Sequence, residues 1–444
     1  MDLVAAFIMT FLLLVICAFK GIFLAYPLAA GIILFFIVAW RRGYSFKDIF
    51  NMAYRGGKKS YVVIRVFIMI GALIPIWTAS GTVPAIVYYG IELIKPNLFI
   101  LSSFLISCFV SFLIGTSVGT SGIVGAALMV IAKSGDVNLA AAAGAIIAGA
   151  YFGDRCSPVS SSASFVAYIT ETNIYDNIKS MFKTSIIPFA ISVAFYTAVS
   201  QRYLLHGRTN IMHDLILKEF NLNGVVLIPV LVVFIFSIFR VDIKKLMLLS
   251  IIAAFIISIT VQHQTVLSCI KFIVFGFSMD DSSPLHPIIK GGGIISLLKT
   301  ALVVFLASAF AEILEEAEIL SNIERITSNV SSRYEIFRNV FITSLFGAII
   351  GCSQTFAVML TYMLNKKGYE KNKLDNSYAA MDLENTAIMV SALVPWNVAM
   401  LTPMTILGTN SACIPYLTYI YVIPLWNLLY LKLRENIVKK IDCV

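Results

Sequence analysis

Long apolar runs separated by short polar segments set the pattern of this chain. They lie near residues 3–19, 22–40, 62–91, 98–114, 120–132, 138–152, 159–170, 184–200, 224–239, 246–261 and 266–278, and then near 294–313, 340–350, 354–364, 386–407 and 412–431. A helix that crosses a bilayer needs about 20 such residues, and one of about 10–14 reads as a re-entrant or half-membrane piece. The pattern therefore predicts an all-α polytopic membrane protein, with roughly ten to twelve crossings and discontinuous or re-entrant helices among them.

Composition agrees with that solvent. The 444 residues are 59% hydrophobic and 13% charged, against about 25% charged in a soluble domain. The net charge of +9 does not form a nucleic-acid patch, because the basic residues cluster between apolar runs. Loop 41–60 carries Arg41, Arg42, Lys47, Arg55, Lys58 and Lys59, loop 365–376 carries Lys366, Lys367, Lys371 and Lys373, and the tail carries Lys432, Arg434, Lys439 and Lys440. Such segments face the cytoplasm, which predicts a cell-membrane protein with both termini cytoplasmic. Residues 3–19 follow no basic stretch and precede no small-residue cleavage site, so they read as a first membrane helix. Seven scattered cysteines show neither metal-ligand spacing nor a disulfide framework. No metal site or cofactor is expected.

Landmarks recur along the chain. GTSVGT at 115–120, with Gly115 and Gly119, is followed by a polar break after Gly153, and GCSQTF at 351–356, with Gly351, by LENTAIMVSALVPWN at 383–397. Upstream stand WTASGTVP at 77–84, with Gly81 and Pro84, and AEILEEAEIL at 311–320. The offset of about 230–237 residues predicts an internal repeat, inverted by analogy with transporters. The divisions that follow are an N-terminal hairpin with a basic loop (1–60), a first repeat (61–200), a linker with connecting helices (201–293), a second repeat (294–432) and a basic tail (433–444). Paired interrupted helices point to a transport site at the repeat interface.

The stretch GAYFGDRCSPVSSSAS at 149–164 carries the sharpest chemistry. Pro158 lacks a backbone donor and breaks the helix, and broken backbone survives in a membrane only where it is buried or lines a wet cavity. The freed carbonyls, with the hydroxyls of Ser157, Ser160, Ser161 and Ser162, are hard oxygen donors suited to a small cation. Asp154 adds a charge that costs about 2.5–3.5 kcal/mol to insert at mid-membrane, which marks it as functional. The structural alternative is a local Asp154–Arg155 ion pair. In the second break Glu384, Asn385 and Thr386 precede Pro395 and Asn397. Glu384 offers a carboxylate, and Asn385 and Asn397 offer amide oxygens, as ion or substrate ligands with Thr386, while the bland reading is that Asp382 and Glu384 cap a helix. Glu312, Glu315 and Glu316 share a helical face, and Glu315 is a candidate proton carrier. GTSVGTSG also contains G-x-S-x-G, which points distantly to an intramembrane serine hydrolase. A serine nucleophile needs a base in reach, and His263 is the sole intramembrane candidate, so Thr116 and Thr120 read better as packing and ligand residues.

Taken together, GTVPAIVYYG, GTSVGT, GAYFGDRCSPVSSSAS and LENTAIMVSALVPWN resemble the NhaC family of sodium/proton antiporters over about residues 60 to 430. The family pattern reads G-D-K-x-S-P-L-S-D-T-T. Gly153, Asp154, Ser157, Pro158 and Ser160 match it, Arg155 replaces the lysine, and Ser161 stands at the second aspartate. The resemblance implies an inverted-repeat homodimer with a scaffold and a moving transport domain, and relatives that carry organic acids or amino acids. The reading that results is a secondary transporter, not an enzyme, in which Asp154 binds either Na⁺ or H⁺ within a shell of serine, threonine and carbonyl oxygens. Its alternative is Na⁺- or H⁺-coupled movement of a small carboxylate or amino acid, which the missing charge at Ser161 favours.

Overall fold

The computed structural model describes all residues except 1, 21, 94, 159, 206–214, 240, 242, 280–292, 317–329, 331 and 442–444. Its elements are helical throughout. The first part of the chain forms α1 (Asp2–Phe19), α2 (Ala25–Arg41), α3 (Phe46–Lys59), α4 (Tyr61–Ala79), α5 (Thr82–Leu93), α6 (Phe99–Ile114), α7 (Ser117–Ser134), α8 (Leu139–Cys156), α9 (Ser161–Ile169) and α10 (Ile174–Arg202). Connecting helices α11 (Ile228–Ile238), α12 (Ile243–Thr260) and α13 (Val266–Phe275) follow. The remainder forms α14 (Ile294–Glu316), α15 (Arg333–Gly351), α16 (Gln354–Lys371), α17 (Asn376–Asn385), α18 (Ala387–Ser391), α19 (Val398–Leu407) and α20 (Thr418–Ile441).

Among the described residues, three helices are long and apolar enough to cross a membrane unaided: Pro96–Ile114, Ser117–Ser134 and Ile174–Arg202. A fourth crossing is the pair α4 and α5, bent by 69°. The bend falls at Gly81, whose φ of +82° is a left-handed conformation that a side chain rarely adopts. Late in the chain the helices are interrupted, with α17, α18 and α19 parted at Thr386 and over 392–397, whereas α14 runs unbroken over Ile294–Glu316. Ile33, Phe109, Ile186, Phe239, Leu267 and Ile342 point outward, which suits acyl chains as solvent.

Two apolar cores organise the interior. One gathers α4 to α8 with α12, α17 to α20 and the start of α14 around Trp77, Phe104, Tyr151 and Tyr419. The other gathers α1, α2 and α3 with α14 to α16 around Phe35 and Phe310. Segment 41–60, read from its charge as a loop, is instead mostly the helix α3. Ser45 starts it by accepting from the Asp48 amide at 3.1 Å and donating to Asp48 Oδ2 at 2.6 Å, a reciprocal cap. Gly56 and Gly57 let α3 lie directly on α14, where a Cβ would meet Ser308, Glu312 and Phe305.

Candidate functional site

Helix α6 ends at Gly115, with φ of +74°. The chain then runs extended through Thr116 before α7 begins, and Thr116 makes no side-chain cap. The matching break after α15 has Cys352 at φ +52° and an extended, uncapped Ser353 before α16. Within α7, Ser121–Gly125 widens into a π-helical turn, a distortion common at functional sites. Helix α8 presses onto α6 through Gly149 and Gly153, where a Cβ would strike the backbone at Phe104 and at Ser111–Phe112. It stops at Cys156, and Ser157 Oγ ties the break to the Phe112 carbonyl at 2.6 Å. Past Pro158, Ser160 caps α9 by accepting from the Ala163 amide at 3.2 Å.

This packing gathers hydroxyls around one carboxylate. Asp154 is 5% exposed. Its Oδ2 accepts from Ser117 Oγ at 2.9 Å, and its Oδ1 accepts from Ser162 Oγ at 3.1 Å and Ser160 Oγ at 3.3 Å. The carboxylate faces a cavity of about 630 Å³ lined in part by Thr116, Ser117, Ser161 and Ser162 from one half, and by Ser353, Gln354 and Ala399 from the other. Glu312 and Ser60 line its far side.

Arg155 bonds elsewhere, so the ion pair with Asp154 that was the structural alternative does not form. The guanidinium is fully enclosed. It donates to Ser185 Oγ at 2.5 Å, Thr184 Oγ1 at 2.7 Å, Tyr419 OH at 3.1 Å, the Met181 carbonyl at 3.2 Å, and closely to Asn385 Oδ1. Arg155 thereby fastens α8 to α10, α17 and α20.

The other predicted residues divide. Glu384 is fully buried on the last turn of α17, outside the cavity lining, and among the described residues neither carboxylate oxygen has a hydrogen-bond donor. Helix α17 is capped instead by Asp375, which accepts from the Ser377 amide at 2.7 Å, while Asp382 pairs with Arg333 at 2.5 Å. The capping role considered for Asp382 and Glu384 is therefore filled elsewhere. Thr386 donates to the Asp382 carbonyl at 2.7 Å, and Thr120 to the Thr116 carbonyl at 2.9 Å; neither lines the cavity. Asn397 caps α19, accepting from the Ala399 amide at 3.0 Å, and donates to the Ala348 carbonyl at 2.9 Å. Pro395 lies in the break before it, Gly351 closes against the Phe356 ring, Gly119 is buried in α7, and Pro84 sits in the first turn of α5. The Glu315 side chain lies outside the described residues.

With this geometry fixed, comparison with known proteins is decisive. The Na⁺/H⁺ antiporter family model matches residues 2–163 and 149–433. The chain belongs to the Na⁺/H⁺ antiporter family. This family member is similar to the Malate-2H(+)/Na(+)-lactate antiporter of Bacillus subtilis, with 27% identity over 85% of this chain and 82% of that protein. It is also similar to the Na(+)/H(+) antiporter NhaC of Alkalihalophilus pseudofirmus, at 25% identity over 83% and 81%. The Arginine/ornithine antiporter ArcD of Halobacterium salinarum aligns at 25% identity over 89% and 83%. Membership makes the chain an integral membrane transporter and not a hydrolase. The geometry agrees, since Ser117 bonds Asp154 and His263 lies exposed at a turn between α12 and α13.

Sequence reasoning missed Ser117 as the Asp154 partner, and it missed Ser353, Gln354 and Tyr151 as lining residues. The signal for Ser353 was the likeness of GTSVGT to GCSQTF, which sets Ser117 against Ser353; the helix breaks themselves align one residue apart from that, Thr116 with Ser353.

Proposed function

We propose that this antiporter exchanges Na⁺ for H⁺ across the cell membrane, with Na⁺ held at Asp154. The carrying observation is a carboxylate 5% exposed that keeps three hydroxyls within 3.3 Å and still faces a cavity lined by both halves. Ser117, Ser160 and Ser162 turn their lone pairs to the ion when it binds, and carbonyls freed at the breaks complete a hard-oxygen shell. Sodium held there neutralises the buried charge, and proton uptake by the same polar cluster releases it.

The movement is that of two related halves. Helix ends Ile114 and Gly351 differ by 237 positions, and so do the uncapped Thr116 and Ser353, the caps Asn138 and Asp375, and the caps Ser160 and Asn397. Pro158 and Pro395 keep the same offset. We read this register as an inverted repeat whose halves trade conformations, opening the cavity to each face in turn, in a homodimer with cytoplasmic termini. Proteoliposomes with a trapped pH dye test the core of it: external Na⁺ should drive proton movement, and Asp154→Asn should abolish it while the protein stays inserted. Full activity in Asp154→Asn refutes the assignment.

A second reading rests on size. A cavity of about 630 Å³ exceeds the needs of one Na⁺ and falls in the range of small-molecule sites. Relatives are named for malate, lactate, arginine and ornithine. Organic cargo would use the space beside Ser161, where the family's second aspartate is absent. Counterflow of labelled lactate, malate, arginine or ornithine, with and without Na⁺, separates the readings.

A further inference from the structure

Asp154 and Glu384 are both buried, but their surroundings are opposite. Three hydroxyls donate to Asp154, whereas among the described residues no donor reaches either oxygen of Glu384, which is fully enclosed. A buried carboxylate without a donor is far costlier than the same group as a neutral acid. Arg155 makes no ion pair among the described residues and gives its terminal N–H groups to neutral oxygens. It reaches Asn385, next to Glu384, and is itself next to Asp154 in sequence.

We propose that the cation and the proton occupy different carboxyl groups, Na⁺ on Asp154 and the exchanged proton on Glu384, with Arg155 coupling them. The inference rests on the Na⁺/H⁺ exchange reading and specifies where each ion sits. Before sodium binds, the Asp154 carboxylate offsets the Arg155 charge and Glu384 keeps its proton, so the cluster is neutral. When Na⁺ neutralises Asp154, the guanidinium charge is left to be offset, and Glu384 offsets it by releasing H⁺ and becoming an anion. One Na⁺ enters, one H⁺ leaves, and the net buried charge stays at zero. Sodium binding without proton release, or release without sodium, strands an uncompensated charge in a low-dielectric interior.

Helix α8 supplies the charges that act on Glu384, namely Arg155 and Asp154, along with the Cys156 thiol. Asp382, on the same helix, is bound by Arg333 of α15 and by Tyr369 OH of α16 at 2.6 Å. Helix α20 presents Tyr419, whose hydroxyl accepts from Arg155. A second cavity of about 480 Å³ is lined by Thr184, Asp382, Leu374 and Arg434 among others. Thr184 Oγ1 connects it to the cluster by accepting from Arg155 and donating to Asn385 Oδ1 at 3.3 Å.

The test uses the purified full chain in nanodiscs, with ²²Na⁺ binding measured from pH 6.5 to 8.5 and proton release followed in weak buffer on Na⁺ addition. Wild-type protein should release about one proton per Na⁺ bound, and its affinity should tighten by up to tenfold per pH unit. Glu384→Gln should still bind Na⁺, more weakly, with no proton release and no pH dependence, while Asp154→Asn should not bind it. Continued pH-dependent release by Glu384→Gln overturns this inference and leaves Na⁺/H⁺ exchange standing. Wild-type protein that binds no Na⁺ overturns the exchange reading itself. Should Glu384→Gln not fold, infrared difference spectroscopy of the wild type serves: Na⁺ addition should remove a protonated-carboxyl band that survives in the Ser162→Ala variant. No loss of such a band overturns the inference.

Discussion

Replacing Gly153 with alanine probes how tightly the site geometry depends on helix contact. The new methyl would fall on the backbone at Ser111 and Phe112, and backbone cannot swing aside as a side chain does. Ordinary Cβ contacts begin near 3.4 Å, and the methyl would sit about 1 Å inside that limit. Overpacking of this kind costs about 1–3 kcal/mol, and contact with the Ser111–Phe112 peptide backbone puts it at the upper end. Alanine recovers about 1 kcal/mol of helix propensity. The clash wins, leaving about 2 kcal/mol of destabilisation. The functional effect is larger, because Asp154 follows directly: parting α8 from α6 by about 1 Å takes the 2.9 Å contact between Ser117 and Asp154 out of hydrogen-bond range. Misplacement of that size costs up to about 100-fold in rate. Gly149→Ala is the control, since it clashes with the Phe104 carbonyl and the Ser107 side chain but lies more than a turn from Asp154. Thermal stability in detergent and ²²Na⁺ exchange in proteoliposomes should show both variants destabilised and Gly153→Ala alone deficient in exchange. Equal exchange losses would mean that packing in general, not the Asp154 geometry, limits transport.

Two further outcomes concern the helix caps. Asn397→Ala removes the cap of α19 and the bond to the Ala348 carbonyl, each contributing about 1 kcal/mol, so stability should fall by about 2 kcal/mol and Asn397→Ser should recover roughly half. The amide and hydroxyl of Ser377 hold the Asp375 carboxyl below the usual carboxylate range. Its capping contribution is therefore fully present above the ordinary value of about 3.9 and is lost as pH falls through the depressed one; a thermal-stability scan should show Asp375→Asn lacking that part of the acid decline.

The helix breaks were legible in the sequence because glycine and proline act locally. Gly81, Gly115, Pro158 and Pro395 interrupt the chain where their own backbone constraints require it, so no tertiary knowledge was needed. The Asp154–serine cluster was legible because breaks in a membrane need a polar purpose. Side-chain direction was not. Sequence adjacency suggested that Arg155 pairs with Asp154, but consecutive helical residues point about 100° apart, and Arg155 goes to α10, α17 and α20 instead. Charge alone made 41–60 a loop; its helix is fixed by the Ser45–Asp48 cap and the Gly56–Gly57 face against α14, a long-range contact. The capping alternative for Glu384 fails because α17 starts at Asn376, which puts the residue at the other end of the helix.

The same register that relates the two halves explains why their charges are staggered. By the 237-residue offset, the counterpart of Asp154 is Ser391, and the counterpart of Glu384 is Ile147; both counterparts are fully enclosed. In the repeat we propose, the carboxylates are not repeated. Position 391 is fully enclosed, and an ionised carboxylate there would be costly without a partner. Ser391→Asp should then destabilise the protein by several kcal/mol once the new group ionises, and by much less where it stays protonated. Thermal stability compared between pH 5 and pH 8 should show a gap from wild type that widens with pH. A gap that stays constant would mean that position 391 tolerates a charge, and the electrostatic reason for an asymmetric site on a repeated backbone would fail.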